Sequence, residues 1–277
     1  MTIPPTTERN HMSDSNPTAQ RYPLTGYGVI VPSERIPGAF ASGADYAEPT
    51  IVGNLVVADG DGWTRHPDYD ASIRRGSFAI LFPGDLSLAD PDFPAERVTA
   101  YLDAVMPIIG SVSEPGAKIV FGSGTARTIP AGVDVTAARA RFAEVVVETR
   151  DTAERNGLQI VLEPLNRDET NLLNSLEETV AFLDEFGIDR VPVVADLFHI
   201  MLEEEPLAVV KALGARIGHA HIADAGRRPP GQGDWPLAEF ITALRDGGYD
   251  GPVTVECLFE DFEPELEAAL AHLRQLA

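Results

Sequence analysis

The sequence of 277 residues contains one cysteine, Cys257, and only two lysines, Lys118 and Lys211. A single cysteine excludes an internal disulfide framework and is typical of proteins in a reducing compartment. No run approaches the roughly 18 consecutive apolar residues that a membrane-spanning helix needs. We therefore expect a cytoplasmic protein that does not cross a membrane.

Positive charge is scarce as well. Lys and Arg total 21 against 43 Asp and Glu, which gives a formal net charge of −22. A surface this acidic repels the phosphates of nucleic acids and of anionic lipids. We expect neither nucleic acid nor a membrane surface as a partner.

Strand-like runs alternate with helical patterns over residues 22–277, which we expect to form one domain, while the polar segment 1–21 predicts a flexible tail. This alternation is typical of an α/β fold with a parallel sheet, and the length is close to the ~250 residues of a single (β/α)8 TIM barrel. The segment 49–75 shows no convincing helix and predicts a loop at the barrel mouth or a degenerate helix. The predicted strands are Tyr27–Val31, Asp45–Glu48, Ser77–Phe82, Lys118–Phe121, Leu158–Glu163, Pro192–Asp196, Gly218–Ile222 and Pro252–Glu256.

The last four predicted strands carry metal-ligand side chains at or next to their ends, namely Glu163, Asp196, His221 and Glu256. The carboxyl ends of barrel strands meet at one mouth, where active sites form. One strand-terminal carboxylate is more often a cap, but three together would be buried and unpaired unless a cation lies among them. Three carboxylates and an imidazole without a thiolate favour one divalent ion, with Mn2+ first and Mg2+ or Co2+ as alternatives.

A second group, Glu169, His199 and Arg227, follows these ligands closely in sequence and predicts contacts to the hydroxyls and carbonyl oxygen of a sugar. Each of the three has a plain structural alternative, such as a solvated loop charge or a locally packed histidine. His219 precedes His221 by two residues, so we expect it to pack inside the barrel or to support His221.

The glycine-rich sequence and the early strands also contain candidate residues for the predicted mouth. The glycine-rich sequence 122–125 follows a strand but lacks the Lys-Ser/Thr pair of a phosphate loop, so it predicts a turn of close approach. The early strands offer Glu48, Trp63 and Phe82 as candidate pocket residues.

These motifs together resemble the xylose-isomerase-like TIM-barrel superfamily, and most closely its sugar phosphate isomerase/epimerase group, which includes the ketose 3-epimerases. The motifs are EPLNRxE at 163–169, DxxH at 196–199, HxHxxDxxR at 219–227, PGxGxW at 230–235 and VE at 255–256.

The resemblance implies a role for each candidate residue. Glu163, Asp196, His221 and Glu256 would bind the metal, and Glu163 and Glu256 would also move a proton on opposite faces of the substrate. The metal would stabilise the enediolate that forms. Glu169, His199 and Arg227 would hold the O1–O2 end of the sugar. The implied function is metal-dependent isomerisation or epimerisation of a small free ketose-type sugar.

Other functions on the same fold stay open. One alternative is a lyase of the same superfamily, either a C-glycoside-cleaving subunit that acts on a 3-oxo-glycoside with a small partner chain, or a dehydratase. An endonuclease IV-like hydrolase is disfavoured by the six histidines and the acidic charge, and a non-catalytic binding protein by the presence of both candidate bases. The resemblance is also compatible with a homo-oligomer.

Overall fold

Ten β-strands and nine α-helices occur in the part of the chain that the computed structural model describes, residues 26–60, 62–72 and 74–276. The predicted tail, 1–21, lies outside these residues. In chain order the elements are β1 (Tyr27–Val31), α1 (Ile36–Ala41), β2 (Tyr46–Pro49), β3 (Val56–Asp59), β4 (Gly62–Arg65), β5 (Arg75–Phe78), α2 (Ala95–Ser111), β6 (Ser113–Phe121), α3 (Gly124–Arg127), α4 (Val135–Arg155), β7 (Gln159–Leu162), α5 (Leu176–Glu185), β8 (Val193–Asp196), α6 (Leu197–Leu202), α7 (Leu207–Ala212), β9 (Ile217–Ile222), α8 (Leu237–Asp246), β10 (Val253–Val255) and α9 (Phe262–Leu276).

Eight of the strands form one parallel sheet in the order β2-β1-β10-β9-β8-β7-β6-β5. The two edges meet just beyond β2 and β5, where Thr50 forms a parallel bridge with Ala79. There the Ile51 N–H donates to the Ala79 carbonyl at 2.8 Å, and the Ala79 N–H donates to the Pro49 carbonyl at 3.1 Å. The prediction of a single (β/α)8 barrel is confirmed. Runs such as Val193–Asp196 are buried at every position, as expected for parallel strands covered on both faces.

The segment between β2 and β5 differs from its prediction. Strands β3 and β4 pair antiparallel there, with Ala58 opposite Trp63, so the prediction of a loop or degenerate helix was wrong. The apolar run at 55–58 followed by Asp-Gly is a hairpin pattern, and Gly60 supplies the positive φ of 59° that the turn requires. Strand β5 also ends earlier than predicted, because Ile80 adopts a left-handed φ of 56°.

Helix boundaries follow the capping residues that the sequence contains. The Asp134 side chain accepts a hydrogen bond from the Ala137 N–H at 2.9 Å where α4 begins, and Ser175 accepts one from the Glu178 N–H at 3.1 Å where α5 begins. Gly187 follows α5 with a φ of 62°. Within the ranges given above, no helix combines the length and the apolar character that crossing a membrane requires.

A chain of aromatic rings connects the hairpin to the helices outside the sheet. Trp63 of β4 packs edge-on against Tyr101 of α2, with ring centroids 5.0 Å apart. Contacts continue from this tyrosine through four buried phenylalanines at centroid distances of 4.9 to 5.8 Å, in the order Tyr101, Phe82, Phe121, Phe142 and Phe182. The hairpin therefore stands in the chain where a helix would follow β2, and it packs against α2 through Trp63.

We expect Phe142→Ala to lower the free energy of unfolding by about 3–5 kcal/mol, because it removes a fully buried ring from the middle of this chain and leaves a cavity. Urea unfolding followed by circular dichroism measures the change. Phe40→Ala is the matched control: its side chain is 42% exposed, so its cost stays below about 1 kcal/mol. Equal costs for the two variants would contradict this account of the core.

Candidate active site

The four predicted metal ligands lie together at the carboxyl ends of consecutive strands. Glu163 directly follows β7, Asp196 ends β8, His221 belongs to β9 and Glu256 directly follows β10. One ligand atom from each of them lies within 4.8 Å of the others. Strand order alone brings these side chains together, because β7 to β10 are neighbours in the barrel.

His221 is held in one orientation, with one carboxylate at its Nε2 and two at its Nδ1. Its Nε2 lies 3.0 Å from Glu48 Oε1, and its Nδ1 lies 3.2 Å from Glu163 Oε1 and 3.0 Å from Glu256 Oε2. Since an ionised Glu48 can only accept, Nε2 carries the hydrogen of that bond. Nδ1 therefore points into the carboxylate cluster, as a histidine ligand to a metal would.

Asp196 supplies a test of whether the cluster suits a cation. Its Oδ1 accepts a hydrogen bond from the Phe198 N–H at 2.8 Å, but its Oδ2 is buried and accepts none from the residues described. Burial and the nearby Glu256 charge raise the pKa of Asp196 to about 6. A buried carboxylate oxygen without a donor is costly, so the four side chains have the donor set and the uncompensated charge to hold one divalent cation.

The two glutamates of the cluster differ in their electrostatic environment. Burial raises the pKa of Glu163, and the hydrogen bond and charge of His221 offset this only in part. At Glu256 burial also acts to raise the pKa, but the hydrogen bond and charge of His221, together with the Arg227 charge, lower it to about 2. The positive neighbours of Glu256 thus favour its ionised form more strongly than those of Glu163 do.

Glu48 lies beneath the cluster and not in the pocket, so its assignment as a pocket residue was wrong. Its carboxylate is fully buried and accepts hydrogen bonds from Ser77 Oγ at 2.7 Å, Thr254 Oγ1 at 3.0 Å and His219 Nε2 at 2.7 Å, besides the bond from His221. Burial would raise the pKa of Glu48, but the two histidines hold it well below its usual range. An acidic residue inside the strand YAEP was the signal for such a role.

Glu48, His219 and His221 form a second group with metal-ligand side chains. Here, however, both Glu48 oxygens already accept hydrogens at 2.7 to 3.0 Å. The group is therefore a hydrogen-bonded support that orients His221, and His219 packs inside the barrel as predicted.

Arg227 connects Glu169, another predicted substrate contact, to the cluster. Its guanidinium lies 2.5 Å from Glu256 Oε1 and 3.2 Å from Glu169 Oε1, and it stacks over the Phe198 ring at 4.5 Å. The loop that carries it is fixed by Asp224, whose carboxylate accepts four backbone N–H groups at 2.8 to 3.0 Å. The sequence motif contained this aspartate, but no role was predicted for it.

His199 points its hydrogen-bearing nitrogen at the same space. Its Nδ1 accepts the Asn166 backbone N–H at 3.1 Å, so Nε2 carries the hydrogen and lies 3.4 Å from Asp196 Oδ2. Burial lowers the pKa of His199. Asn166 also donates to Glu169 Oε1 at 3.1 Å, and the sequence reasoning missed it.

The cavity above the cluster has a volume of about 190 Å3. Neither Trp63 nor Phe82, both predicted as pocket candidates, is among its lining residues, because both rings belong to the aromatic chain. Its apolar wall contains Ala79, Ile80, Val120 and Leu165, and its polar wall contains Glu163, Glu169, His199, His221, Arg227 and Glu256.

The glycine-rich segment, predicted to be a turn of close approach, lies against this polar wall. A Cβ on Gly122 would lie 2.3 Å from Glu163 Oε2, and one on Gly124 would lie 2.9 Å from the Glu169 carbonyl oxygen. Both positions are closer than any real Cβ contact. The glycines therefore make room for the carboxylate and the loop, as expected of a turn of close approach.

The fold and the cluster together define an α/β barrel with a carboxylate–histidine site at the carboxyl ends of its strands. Residues 41–276 match the family model described as xylose isomerase-like TIM barrel, so the chain belongs to that family.

Individual relatives agree with the resemblance drawn from the motifs. D-psicose 3-epimerase of Enterocloster bolteae is 39% identical over 119 residues, which cover 43% of this chain and 40% of that protein. The 3-dehydro-D-guloside 4-epimerase of Escherichia coli is 30% identical over 177 residues, covering 60% and 66%. The crystal structure of a D-allulose 3-epimerase from Methylomonas sp. superimposes with a TM-score of 0.76 at 23% identity, covering 92% of this chain and 99% of that one. The resemblance to the ketose 3-epimerase group is confirmed.

We expect Glu48→Gln to weaken Mn2+ binding roughly 10- to 100-fold, because His221 loses the carboxylate that fixes its orientation. Isothermal titration calorimetry of the metal-free protein measures the affinity. Glu239→Gln, an exposed change on α8, is the control and leaves the affinity unaltered. Wild-type affinity in a folded Glu48→Gln protein would remove Glu48 from any role at the site.

Proposed function

We propose that this protein is a divalent-metal-dependent isomerase or epimerase of a small free ketose-type sugar. The observation that carries the proposal is the pair Glu163 and Glu256, whose carboxylates belong to one cluster with ligand atoms within 4.8 Å of one another. The same two residues line a cavity beside a guanidinium and an imidazole donor. The set fits proton transfer next to a carbonyl group.

In this proposal the two glutamates move one proton each. One carboxylate removes the proton from the carbon beside the carbonyl, and the other returns a proton to the opposite face, which inverts that carbon. A divalent cation held by Glu163, Asp196, His221 and Glu256 would supply Lewis-acid polarisation of the carbonyl, which makes the neighbouring C–H more acidic. We propose Mn2+, since the donors are mainly hard oxygens.

Three further side chains would hold the sugar. Arg227 is fixed by Glu169, Glu256 and the Phe198 ring, so its remaining N–H groups have a set direction toward the cavity. His199 has its Nε2–H available for a substrate oxygen. We propose that Glu169, His199 and Arg227 bind the oxygens next to the reacting carbon, while the Ile80 wall faces the rest of the molecule.

The engagement of the nearby arginines favours a substrate without phosphate. Arg127 is fully buried and donates to the carbonyl oxygens of Glu163 at 2.6 Å and Leu173 at 3.3 Å. Arg167 pairs with Glu203, and Arg227 already has two carboxylate partners. None of the three has the free charge that would attract a phosphate group, whereas neutral hydroxyls need only hydrogen bonds. On the basis of the single cysteine, we further propose that the reaction takes place in the cytoplasm.

A second candidate substrate is a 3-oxo-glycoside. The longer of the two alignments given above is to a protein named 3-dehydro-D-guloside 4-epimerase. Proton removal beside its carbonyl would use the same two glutamates. If the substrate is a 3-oxo-glycoside, the alternative reaction is cleavage of a C-glycoside by a lyase that works with a small partner chain.

The first experiment is deuterium exchange. The Mn2+-loaded protein is incubated in D2O with a panel of free ketoses and 3-oxo-glycosides, and deuterium incorporation is followed by NMR. We expect exchange at a single carbon of a ketose, abolished by EDTA. Exchange on a 3-oxo-glycoside alone, or only after a partner chain is added, would move the assignment to the second candidate. No exchange with any member, in protein shown by calorimetry to hold Mn2+, would contradict both.

Glu163→Gln and Glu256→Gln should each lower the exchange rate by about 10²- to 10⁴-fold, because each removes one acid–base group. Single-turnover exchange in the metal-loaded variants measures the loss, and metal content is determined for each. Glu239→Gln is again the matched control. A fully active Glu163→Gln or Glu256→Gln enzyme with normal metal content would defeat the two-base mechanism.

A further inference from the structure

A second cavity, of about 510 Å3, opens at the end of the barrel opposite to the candidate active site. Its lining residues lie at the starts of strands: Tyr46 begins β2, Arg75 begins β5, and Pro252 directly precedes β10. The candidate catalytic residues lie instead at strand ends. This cavity is therefore separate from the active-site pocket.

Three basic side chains converge on this cavity, although the protein as a whole carries a formal charge of −22. They are Arg74, Arg75 and Lys118. Arg74 donates to the Ser113 carbonyl at 2.7 Å, and Lys118 donates to the Gly218 carbonyl. In the described part of the chain none of the three forms an ion pair with an acidic side chain.

Two acidic residues also line the cavity, but they do not neutralise these cations. Asp45 accepts the Tyr27 backbone N–H at 2.8 Å and pairs with Arg274 at 3.2 Å. Glu114 is exposed, at the outer edge of the group. Neither of these two carboxylates therefore takes up the donors of the three cations.

Two buried polar atoms in the lining have no partner within the same residues. Arg75 is 4% exposed and its Nε donates no hydrogen bond. His219 is fully buried and its Nδ1 is also unpartnered. Because the Nε2–H of His219 donates to Glu48, Nδ1 carries a lone pair and can accept a hydrogen. Unpaired buried polar groups are rare, and a polar molecule in the cavity is one partner that would satisfy them.

We propose that this cavity binds a small hydroxylated organic anion, with its phosphate or carboxylate group on Arg74, Arg75 and Lys118 and a hydroxyl donating to His219 Nδ1. The cations supply charge-assisted donors for the oxyanion. Tyr46 and Pro252 supply a less polar wall for the carbon skeleton. A hydrogen-bonded path leads from this cavity through His219 and Glu48 to His221. The inference does not depend on the proposed activity.

The test is isothermal titration calorimetry of the full, Mn2+-loaded protein at fixed ionic strength. The probes are glycerol 3-phosphate, glycerate, inorganic phosphate and glycerol. We expect one site for glycerol 3-phosphate or glycerate, weaker binding of inorganic phosphate because it lacks the carbon-borne hydroxyl, and none for glycerol. The stronger of the first two probes identifies the oxyanion as phosphate or carboxylate. Absence of binding by all charged probes would overturn the proposal.

Variants locate the binding on the protein. Arg74→Gln combined with Lys118→Gln should weaken binding at least 10-fold, since two charge-assisted contacts are lost. Arg97→Gln with Lys211→Gln makes the same charge change on exposed side chains elsewhere and should not alter it. Arg227→Ala should bind the anion normally. Loss of binding in Arg227→Ala alone, or equal loss in both double variants, would place the anion elsewhere and overturn the proposal.

Discussion

The barrel interior must hold four carboxyl groups, Glu48, Glu163, Asp196 and Glu256, close to one imidazole, and the site depends on how their charge is compensated. Buried carboxylates of like sign destabilise one another unless donors or cations intervene. Glu48 is compensated within the protein, because hydroxyls and histidines bind both of its oxygens. The other three are compensated less fully: Glu256 pairs with Arg227 and Glu163 lies beside His221 Nδ1, but the buried Asp196 Oδ2 accepts no hydrogen bond from the described residues. The same interior thus contains one carboxylate that supports the site and three that, with His221, have the donor set to hold a cation.

This division explains which parts of the site could be predicted from the sequence. Glu163, Asp196, His221 and Glu256 stand at or near the ends of apolar runs, and the barrel rule converts that position into proximity. Glu48 also stands in a strand, but its side chain points into the barrel, and its partners Ser77 and Thr254 come from strands far apart in sequence. No local pattern indicates a hydrogen bond across 206 residues. The sequence therefore predicted which four side chains lie together, but it misplaced the carboxylate that supports them.

The fold, too, has features that no local sequence pattern indicates. Strands on the carboxyl-terminal side of the chain have continuous apolar runs and were predicted within one or two residues. The hairpin at 56–65 was missed because its outer residues are exposed and its one large anchor, Trp63, packs against a ring in α2. Likewise, the shortened β5 follows from the positive φ of Ile80, which its β-branched side chain gives no reason to expect.

Gly122 illustrates how the site constrains residues that take no part in its chemistry. Its Cα lies where any side chain would meet the Glu163 carboxylate. In evolutionary terms, this position is closed to substitution for as long as Glu163 keeps its present orientation, since even alanine would displace that carboxylate. The present orientation of Glu163 in turn requires that position 122 carries no side chain. A substitution at position 122 is therefore tolerated only together with a change at position 163. A change of chemistry in this barrel would begin by altering both.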